Sequence, residues 1–270
     1  MIEAAPAKVN LALHLRRRRG DGYHDLETLF VFTDFGDTVS VEDETGLRLT
    51  VTGPTAAAVD GGDNLVLRAA RVLARAAGCP ANGALTLDKH IPVAAGLGGG
   101  SADAAATLRL LNRFWGLDWP LGHLAEIAIP LGADVPACVF SRALVGEGRG
   151  EVLRSVDLAV GGTPILLVNP RVAVPTGPVF AGWDGVDQGS LDPAGWRAAR
   201  NDLAAPAIAI APVIAEVLAA LANSGATIAR MSGSGATCFA LFDNATARDA
   251  AAAALGERSP GWWMMATTLL

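Results

Sequence analysis

Residues Pro92 to Asn112 read Pro-Val-Ala-Ala-Gly-Leu-Gly-Gly-Gly-Ser-Ala-Asp-Ala-Ala-Ala-Thr-Leu-Arg-Leu-Leu-Asn. A glycine-rich turn here runs directly into an alanine-rich segment whose apolar residues recur at helical spacing. Glycines let backbone N–H groups approach an anion closely, and we expect Ser101 to cap the helix that follows. The N-terminus of that helix adds unpaired N–H groups and the positive end of its dipole. The stretch predicts a polyphosphate-binding loop; the alternative is a helix-entry loop with structural duties only.

The loop matches neither of two common nucleotide-binding patterns. A Walker A loop places a lysine after its last glycine, whereas Ser101 and Ala102 follow Gly100. A dinucleotide-binding G-x-G-x-x-G pattern counted from Gly96 and Gly98 would need its third glycine at position 101, which is a serine. The sequence therefore argues against both classes of site.

Composition and charge narrow the class of protein. The chain has 270 residues, 51% of them hydrophobic, and a formal net charge of -6. It is long enough to bury a full core, and its negative charge argues against general nucleic-acid binding and favours a small substrate. Cys79, Cys138 and Cys238 form no C-x-x-C pair, which predicts neither a disulfide framework nor a zinc site and fits a cytoplasmic protein. We expect no export or membrane segment.

The periodicity of the chain predicts mixed strands and helices of the α+β sort. Strands are predicted at residues 7–15, 26–32, 37–41, 47–51, 84–91, 143–146, 151–155, 164–168 and 262–268. Helices are predicted at 64–77, after the glycine loop, at 121–129, within 201–222 and at 246–255. We place a first domain at residues 1–160 and a second at 161–270.

Three further features of the sequence indicate catalytic or binding residues. Lys8 and Asn10 share one polar face of the first predicted strand. Asp134 lies between Pro130 and Pro136 on a predicted short irregular segment, where its side chain is free to face a pocket. A second glycine-rich turn, Met231-Ser232-Gly233-Ser234-Gly235-Ala236, is expected to pack against substrate phosphates or to be only a tight turn.

Several motifs, taken in this order, resemble those of the GHMP kinases. They are Ala7-Lys8-Val9-Asn10-Leu11, the loop from Gly96 to Ser101, Gly132-Ala133-Asp134-Val135-Pro136 and the Ser-Gly-Ser-Gly turn. Asp21-Gly22-Tyr23-His24 with Leu29-Phe30, Asp63-Asn64-Leu65 and Asn201-Asp202-Leu203 extend the resemblance over nearly the whole chain. The family's loop usually reads Gly-Gly-Gly-Ser-Ser, so Ala102 lacks one hydroxyl and is not assigned its role.

The resemblance implies an α+β GHMP kinase fold of two domains with the active site in the cleft between them. It implies ATP-dependent phosphorylation, with Mg²⁺ bridging ATP oxygens, of the 2-hydroxyl of a cytidine-diphosphate-linked methylerythritol in the non-mevalonate route to isoprenoid precursors. A kinase for homoserine, mevalonate or a sugar would share the loop without needing Tyr23-His24. A catalytically silent ligand sensor on the same fold is a further alternative, against which Lys8 and Asp134 argue.

By similarity to the family, Asp134 is the base that accepts the hydroxyl proton, and Lys8 beside it offsets charge on the moving phosphoryl group. The alternatives are that Asp134 caps a turn and that Lys8 is solvated at a strand edge. The substrate-binding residues implied are Asn10, Tyr23, His24 and Phe180, with core packing as the alternative for Phe180.

The resemblance also implies a set of residues that contact ATP. These are Asn64, Lys89, Pro92, Val93, Ala94, Ala95, Gly96, Leu97, Gly98, Gly99, Gly100 and Ser101. The alternatives are a helix cap at Asn64 and an exposed surface charge at Lys89.

Overall fold

The computed structural model describes residues 1–59 and 64–270. Asp63, the first residue of the Asp-Asn-Leu motif, lies outside these residues. The chain forms two compact units that alternate along the sequence. The first unit comprises Met1–Lys8, Gly36–Val93 and Gly98–Arg142, and the second comprises Val9–Phe35, Ala94–Leu97 and Ala143–Leu270. The predicted contiguous domains, 1–160 and 161–270, differ from this interleaved division and stay a prediction.

Two long strands open the chain and contribute to both units. They are β1 (Ile2–Arg18) and β2 (His24–Glu42), which pair with each other. The prediction of separate strands at 26–32 and 37–41 is wrong, because Gly36 does not turn the chain. A Cβ at Gly36 would lie 2.3 Å from the carbonyl oxygen of Ala5. The glycine therefore permits close approach of the two strands while β2 continues through it.

The first unit places helices beside paired strand segments. Its other elements are β3 (Leu47–Thr52), α1 (Leu65–Ala77), β4 (Gly83–Asp88), α2 (Gly99–Phe114), α3 (Leu121–Ala128) and α4 (Val135–Phe140). Strand β4 pairs in parallel with β3 and antiparallel with residues 38–42 of β2. Helix α2 packs against α1 and α4, and it buries Ala104, Ala105, Leu108 and Leu111 as its predicted apolar stripe.

The second unit contains an antiparallel sheet with helices beside it. Its elements are β5 (Leu144–Gly148), β6 (Val152–Ser155), β7 (Pro164–Asn169), α5 (Thr176–Ala181), α6 (Ala204–Ile210), α7 (Val213–Ala222), β8 (Ile228–Met231), β9 (Cys238–Leu241), α8 (Ala245–Arg258) and β10 (Trp263–Thr268). The sheet has four strands in the order β10-β7-β9-β8. Helix α7 packs against β8 and β9, and α8 packs against β7 and β10. Residues 26–30 of β2 pair with β5, which pairs with β6.

The sequence pattern located most helices but missed α4 and α5. Helix α4 starts directly after Asp134 and has Pro136 in its first turn, where a missing N–H costs little. The predicted irregular segment is present at residues 132–134, which include Asp134, but it is wrong for Val135 and Pro136, which begin the helix. None of the helices in the described part of the chain is long and apolar enough to span a bilayer.

Candidate active site

The glycine loop turns into helix α2 at Gly98, which adopts a left-handed conformation with φ +62°. The helix begins at Gly99, and no side chain caps it. The prediction that Ser101 caps the helix is therefore wrong, because the helix starts two residues earlier. The first helical hydrogen bond runs from the Ala102 N–H to the Gly98 carbonyl at 2.8 Å. The N–H groups of Gly99, Gly100 and Ser101 precede it, as an anion-binding helix start requires.

Lys8 and Asp134, predicted from distant motifs, meet in the first unit. Lys8 Nζ lies 3.1 Å from Asp134 Oδ2, and the two side chains are 4% and 36% exposed. A Cβ at Gly98 would lie 2.9 Å from Lys8 Cε, so the lysine runs directly beneath the phosphate loop. The alternative of a solvated Lys8 is wrong, and the Asp134 side chain makes no capping hydrogen bond to α4.

Two residues assigned to the ATP site have partners within the protein. Lys89 is buried between Asp37 and Asp103, so the alternative of an exposed surface charge is wrong. Asn64 accepts a 2.9 Å hydrogen bond from the Val66 N–H and caps α1, which confirms the helix-cap alternative. Contact of either residue with a nucleotide stays a prediction.

In the second unit, the glycine-rich turn that follows β8 is joined to loop residues 94–97. Ser232 Oγ donates to the Gly96 carbonyl at 3.0 Å and accepts from the Asn10 N–H at 3.1 Å. The Thr237 N–H donates to the Ala95 carbonyl at 3.2 Å. A Cβ at Gly96 would lie 2.7 Å from the Gly235 carbonyl oxygen, so only glycine fits this contact. The turn is thus packed against the loop backbone, and its contact with substrate phosphates stays a prediction.

Asn10 is a buried side chain with a fixed orientation. It is 3% exposed, and its Nδ2 donates to Thr28 Oγ1 at 2.7 Å. The Thr28 hydroxyl in turn donates to the Ala12 carbonyl at 2.7 Å. This chain of hydrogen bonds holds the Asn10 amide plane in one position, which suits a residue that orients a substrate.

Aromatic residues cluster at the start of β2 in the second unit. The His24 ring lies 5.4 Å from the ring of Phe180 and 5.7 Å from that of Trp183. His24 Nε2 is buried without a hydrogen-bond partner among the described residues. Burial, with a smaller effect of Arg18, lowers the pKa of His24 below its ordinary value of 6.5. The imidazole is therefore neutral near pH 7, and its Nε2 is a buried polar atom.

Two arginines make contacts next to this aromatic cluster, one with Tyr23 and one at the end of α5. Tyr23 is 56% exposed, and the Arg149 guanidinium lies 5.0 Å from its ring centroid. Arg18 donates to the carbonyls of Ala181 and Trp183, which fixes the end of α5. Phe180 is partly buried against the core of the unit. Its core-packing role is therefore present, and its role in base binding stays a prediction.

Sequence reasoning missed four residues of these two sites. Trp183 and Arg149 could have been noticed, because they are an aromatic and a cationic residue within glycine-containing loops. No sequence pattern, however, indicated that they lie near Tyr23-His24. Asp37 and Asp103 carried no such signal, because a single aspartate in a strand or helix pattern reads as a surface residue. No group of three or more potential metal-ligating side chains occurs within residues 1–59 and 64–270.

Two family models match the chain. The model of the GHMP kinases N terminal domain matches residues 64–142, and that of the GHMP kinases C terminal domain matches residues 190–261. A 4-diphosphocytidyl-2-C-methyl-D-erythritol kinase of Rhizorhabdus wittichii is 55% identical over 276 residues, covering 99% of this chain and 94% of that protein. The chain belongs to the GHMP kinases. The resemblance and the α+β fold class predicted from the motifs are both confirmed.

Another relative and two solved structures also match over nearly the whole chain. The 4-diphosphocytidyl-2-C-methyl-D-erythritol kinase of Sphingopyxis alaskensis is 50% identical and covers 100% of this chain and 98% of that protein. A crystal structure of 4-(cytidine 5'-diphospho)-2C-methyl-D-erythritol kinase matches with a TM-score of 0.85 at 35% identity, covering 100% and 99% of the two chains. A homoserine kinase from Cytophaga hutchinsonii shares the fold with a TM-score of 0.72 at 18% identity over 99% and 94%.

Proposed function

We propose that this GHMP kinase transfers the γ-phosphoryl group of ATP to the 2-hydroxyl of 4-diphosphocytidyl-2-C-methyl-D-erythritol, a step of the non-mevalonate route to isoprenoid precursors. The observation that carries the proposal is the pair formed by Lys8 and Asp134 beside Gly98 of the phosphate loop. Relatives of this name align over nearly the full chain at about half identity.

Phosphoryl transfer through a loose transition state needs positioning, charge neutralisation and a base for the hydroxyl proton. Asp134, which is 36% exposed, accepts the proton of the attacking 2-hydroxyl. The Lys8 ammonium, held 3.1 Å from that carboxylate, offsets the negative charge of the moving phosphoryl group. The helix N–H groups behind Gly98 bind the remaining phosphate oxygens.

The nucleotide site is the loop Pro92, Val93, Ala94, Ala95, Gly96, Leu97, Gly98, Gly99, Gly100 and Ser101 together with Asn64 and Lys89. Mg²⁺ would accompany ATP and would neutralise part of the phosphate charge, and no side chain is assigned as its ligand. Consumption of ATP favours the cytoplasm as the compartment, and the partner is a small molecule rather than a nucleic acid.

The acceptor's cytosine binds at the aromatic cluster. Tyr23 and Phe180 stack on the base, and Nε2 of His24 reads its polar edge. A neutral imidazole suits this role because one nitrogen accepts while the other donates. Asn10, held by Thr28, orients the alcohol portion.

An acceptor panel tests this function. We expect ADP release with 4-diphosphocytidyl-2-C-methyl-D-erythritol and ATP, and release at least a hundredfold slower with mevalonate or homoserine. Fast release with either of those acceptors instead would assign the chain to a sister kinase. Binding of the cytidylyl alcohol without ADP release would make it a ligand sensor, and either result refutes the proposal.

A further inference from the structure

The sequence contains two lysines, and both are buried against aspartates. Lys89 lies between two of them: its Nζ contacts Asp37 Oδ2 and is 2.9 Å from Asp103 Oδ2. The side chains of Lys89, Asp37 and Asp103 are 5%, 0% and 4% exposed. One ammonium and two carboxyl groups thus share a site closed to solvent, and the proposed transfer of the phosphoryl group uses none of them.

The charge balance of this cluster requires a proton on one carboxyl group. Two ionised carboxylates and one ammonium would leave a net negative charge in the interior, which is strongly unfavourable. Asp37 Oδ1 accepts from the N–H groups of His90 at 2.5 Å and Ile91 at 2.8 Å, in addition to the contact of Oδ2 with Lys89. Three donors therefore point at Asp37, as an ionised carboxylate requires.

Asp103 has the opposite environment. Its Oδ1 is buried without a hydrogen-bond partner among the described residues. Burial is the main cause that raises the pKa of Asp103 to about 8. The charge of Asp37 and a hydrogen bond between the two carboxyl groups also raise this pKa, whereas Lys89 lowers it. A carboxyl group with an unpaired oxygen and a neighbouring carboxylate favours its neutral form. Asp103 is therefore the protonated member of the cluster.

The cluster lies where three elements of the first unit meet. The antiparallel register pairs Thr38 of β2 with Asp88 of β4, so Asp37 and Lys89 follow at the next position. Asp103 lies in the second turn of α2, and a Cβ at Gly99 would be 2.9 Å from Lys89 Nζ. The ammonium thus packs directly against the first residue of the helix that ends the phosphate loop.

We propose that Lys89, Asp37 and a neutral Asp103 are positioning residues, which fix the first turn of α2 for nucleotide binding, and that loss of the Asp103 proton weakens ATP binding. Lys89 acts on the helix start through the packing of its ammonium against Gly99. Ionised Asp103 adds one buried negative charge beneath the helix start that receives the phosphates. This inference rests on the proposed role of the loop in binding ATP.

Two further titratable side chains lie near the cluster: the His90 imidazole, which is 2.8 Å from Asp88 Oδ2, and the Cys138 thiol. Cys138 of α4 faces Asp103, and burial raises its pKa to about 12, so it remains a thiol. The charges of Asp134, Lys8 and Arg109 also act on Cys138.

Lysine Nζ resonances provide a direct test that does not depend on activity. The full chain, labelled with ¹⁵N-lysine and free of nucleotide, gives two Nζ signals, and Lys8→Arg assigns them by removing one. We expect the Lys89 signal to shift between pH 6 and 9.5 with a midpoint near 8. Asp103→Asn should abolish that step, whereas Asp88→Asn, at a neighbouring partly exposed carboxylate, should leave it unchanged. A flat Lys89 signal in the wild type, or a step that persists in Asp103→Asn, overturns the proposal.

Calorimetric ATP titrations test the link to the loop. We expect the wild-type Kd to rise roughly tenfold from pH 7 to 9, the effect of one added nearby charge, and the Kd of Asp103→Asn to change less than twofold. Asp37→Asn, which removes the carboxyl group that contacts Lys89, should weaken binding at both pH values. An equal pH dependence in wild type and Asp103→Asn contradicts the positioning role. If the wild type binds no ATP, the proposed function fails, while the Nζ titration still decides where the proton resides.

Discussion

Lys8 Nζ and Asp134 Oδ2 lie 3.1 Å apart although 126 positions separate them in the sequence, 134 minus 8. Strand β1 carries the lysine, and the turn before α4 carries the aspartate. The lysine is buried, while the carboxylate is partly open. A proton acceptor must reach its substrate, whereas a charge-neutralising cation acts more strongly when shielded from water. The difference in exposure between the two side chains fits their proposed roles.

The Gly98→Ala substitution should reduce turnover by displacing Lys8. A Cβ there meets Lys8 Cε at 2.9 Å, and misplacement of a catalytic group by about 1 Å can cost roughly a hundredfold. We expect kcat to fall by about 10- to 100-fold in a steady-state assay. Gly116→Ala is the matched control, because Gly116 has a similar φ of +66° but no atom within 4 Å of the added Cβ.

Both alanines should destabilise the fold by about 1 kcal/mol, because each forces a side chain into a left-handed conformation. Only Gly98→Ala should lose activity. Equal kcat values for the two variants, measured below their unfolding temperatures, would contradict the placement of Lys8 beneath the loop.

Phe180→Ala should weaken acceptor binding and leave ATP binding intact. Stacking of one aromatic ring on a base is worth about 1 to 3 kcal/mol, which corresponds to about a 5- to 150-fold increase in Kd. Calorimetry with the cytidylyl alcohol and with ATP separates the two effects. Val186→Ala, at a 55% exposed side chain of the same unit, is the control. An unchanged acceptor Kd in Phe180→Ala would leave core packing as the only role of this ring.

The lowered pKa of His24 makes a prediction about pH. Because burial favours the neutral ring, His24 should stay neutral at and somewhat below its ordinary value of 6.5 and protonate only in more acidic solution. Acceptor affinity should therefore be constant from pH 6.5 to 8 and should fall only in the more acidic solution in which the ring becomes protonated. Direct binding measurements without ATP avoid the titration of the nucleotide. His24→Gln should bind more weakly and lack the acid step; an acid step of the same size in this variant would assign it to another group.

The sequence predicted the local elements of the site well and its tertiary contacts poorly. The glycine loop, the helix behind it and the strand with Lys8 and Asn10 follow from residue patterns within a few turns of chain. The Lys89 cluster does not, because Asp37, Lys89 and Asp103 meet only through the register of β2 with β4 and the packing of α2. Patterns of period 2 or 3.6 carry no information about such pairings.

Three wrong predictions of local structure have one physical cause, which is that glycine and proline each occur in more than one kind of local structure. Gly36 permits close approach of two strands, so the expected break in β2 is absent. Pro136 lies in the first turn of α4, where it starts a helix instead of excluding one. Gly98 begins the turn into α2, which displaces Ser101 from the cap position. Which local structure forms at each of these residues depends on neighbours that are distant in the sequence or on conformations that many sequences can adopt.

The most direct test of the catalytic assignment is the turnover number of Asp134→Asn with saturating ATP and 4-diphosphocytidyl-2-C-methyl-D-erythritol. Asparagine keeps the size of the side chain but cannot accept the hydroxyl proton, so kcat should fall by about 10² to 10⁴ while the Kd for ATP and the unfolding temperature remain close to those of the wild type. A correctly folded Asp134→Asn enzyme with near-normal turnover would contradict the role of Asp134 as the base.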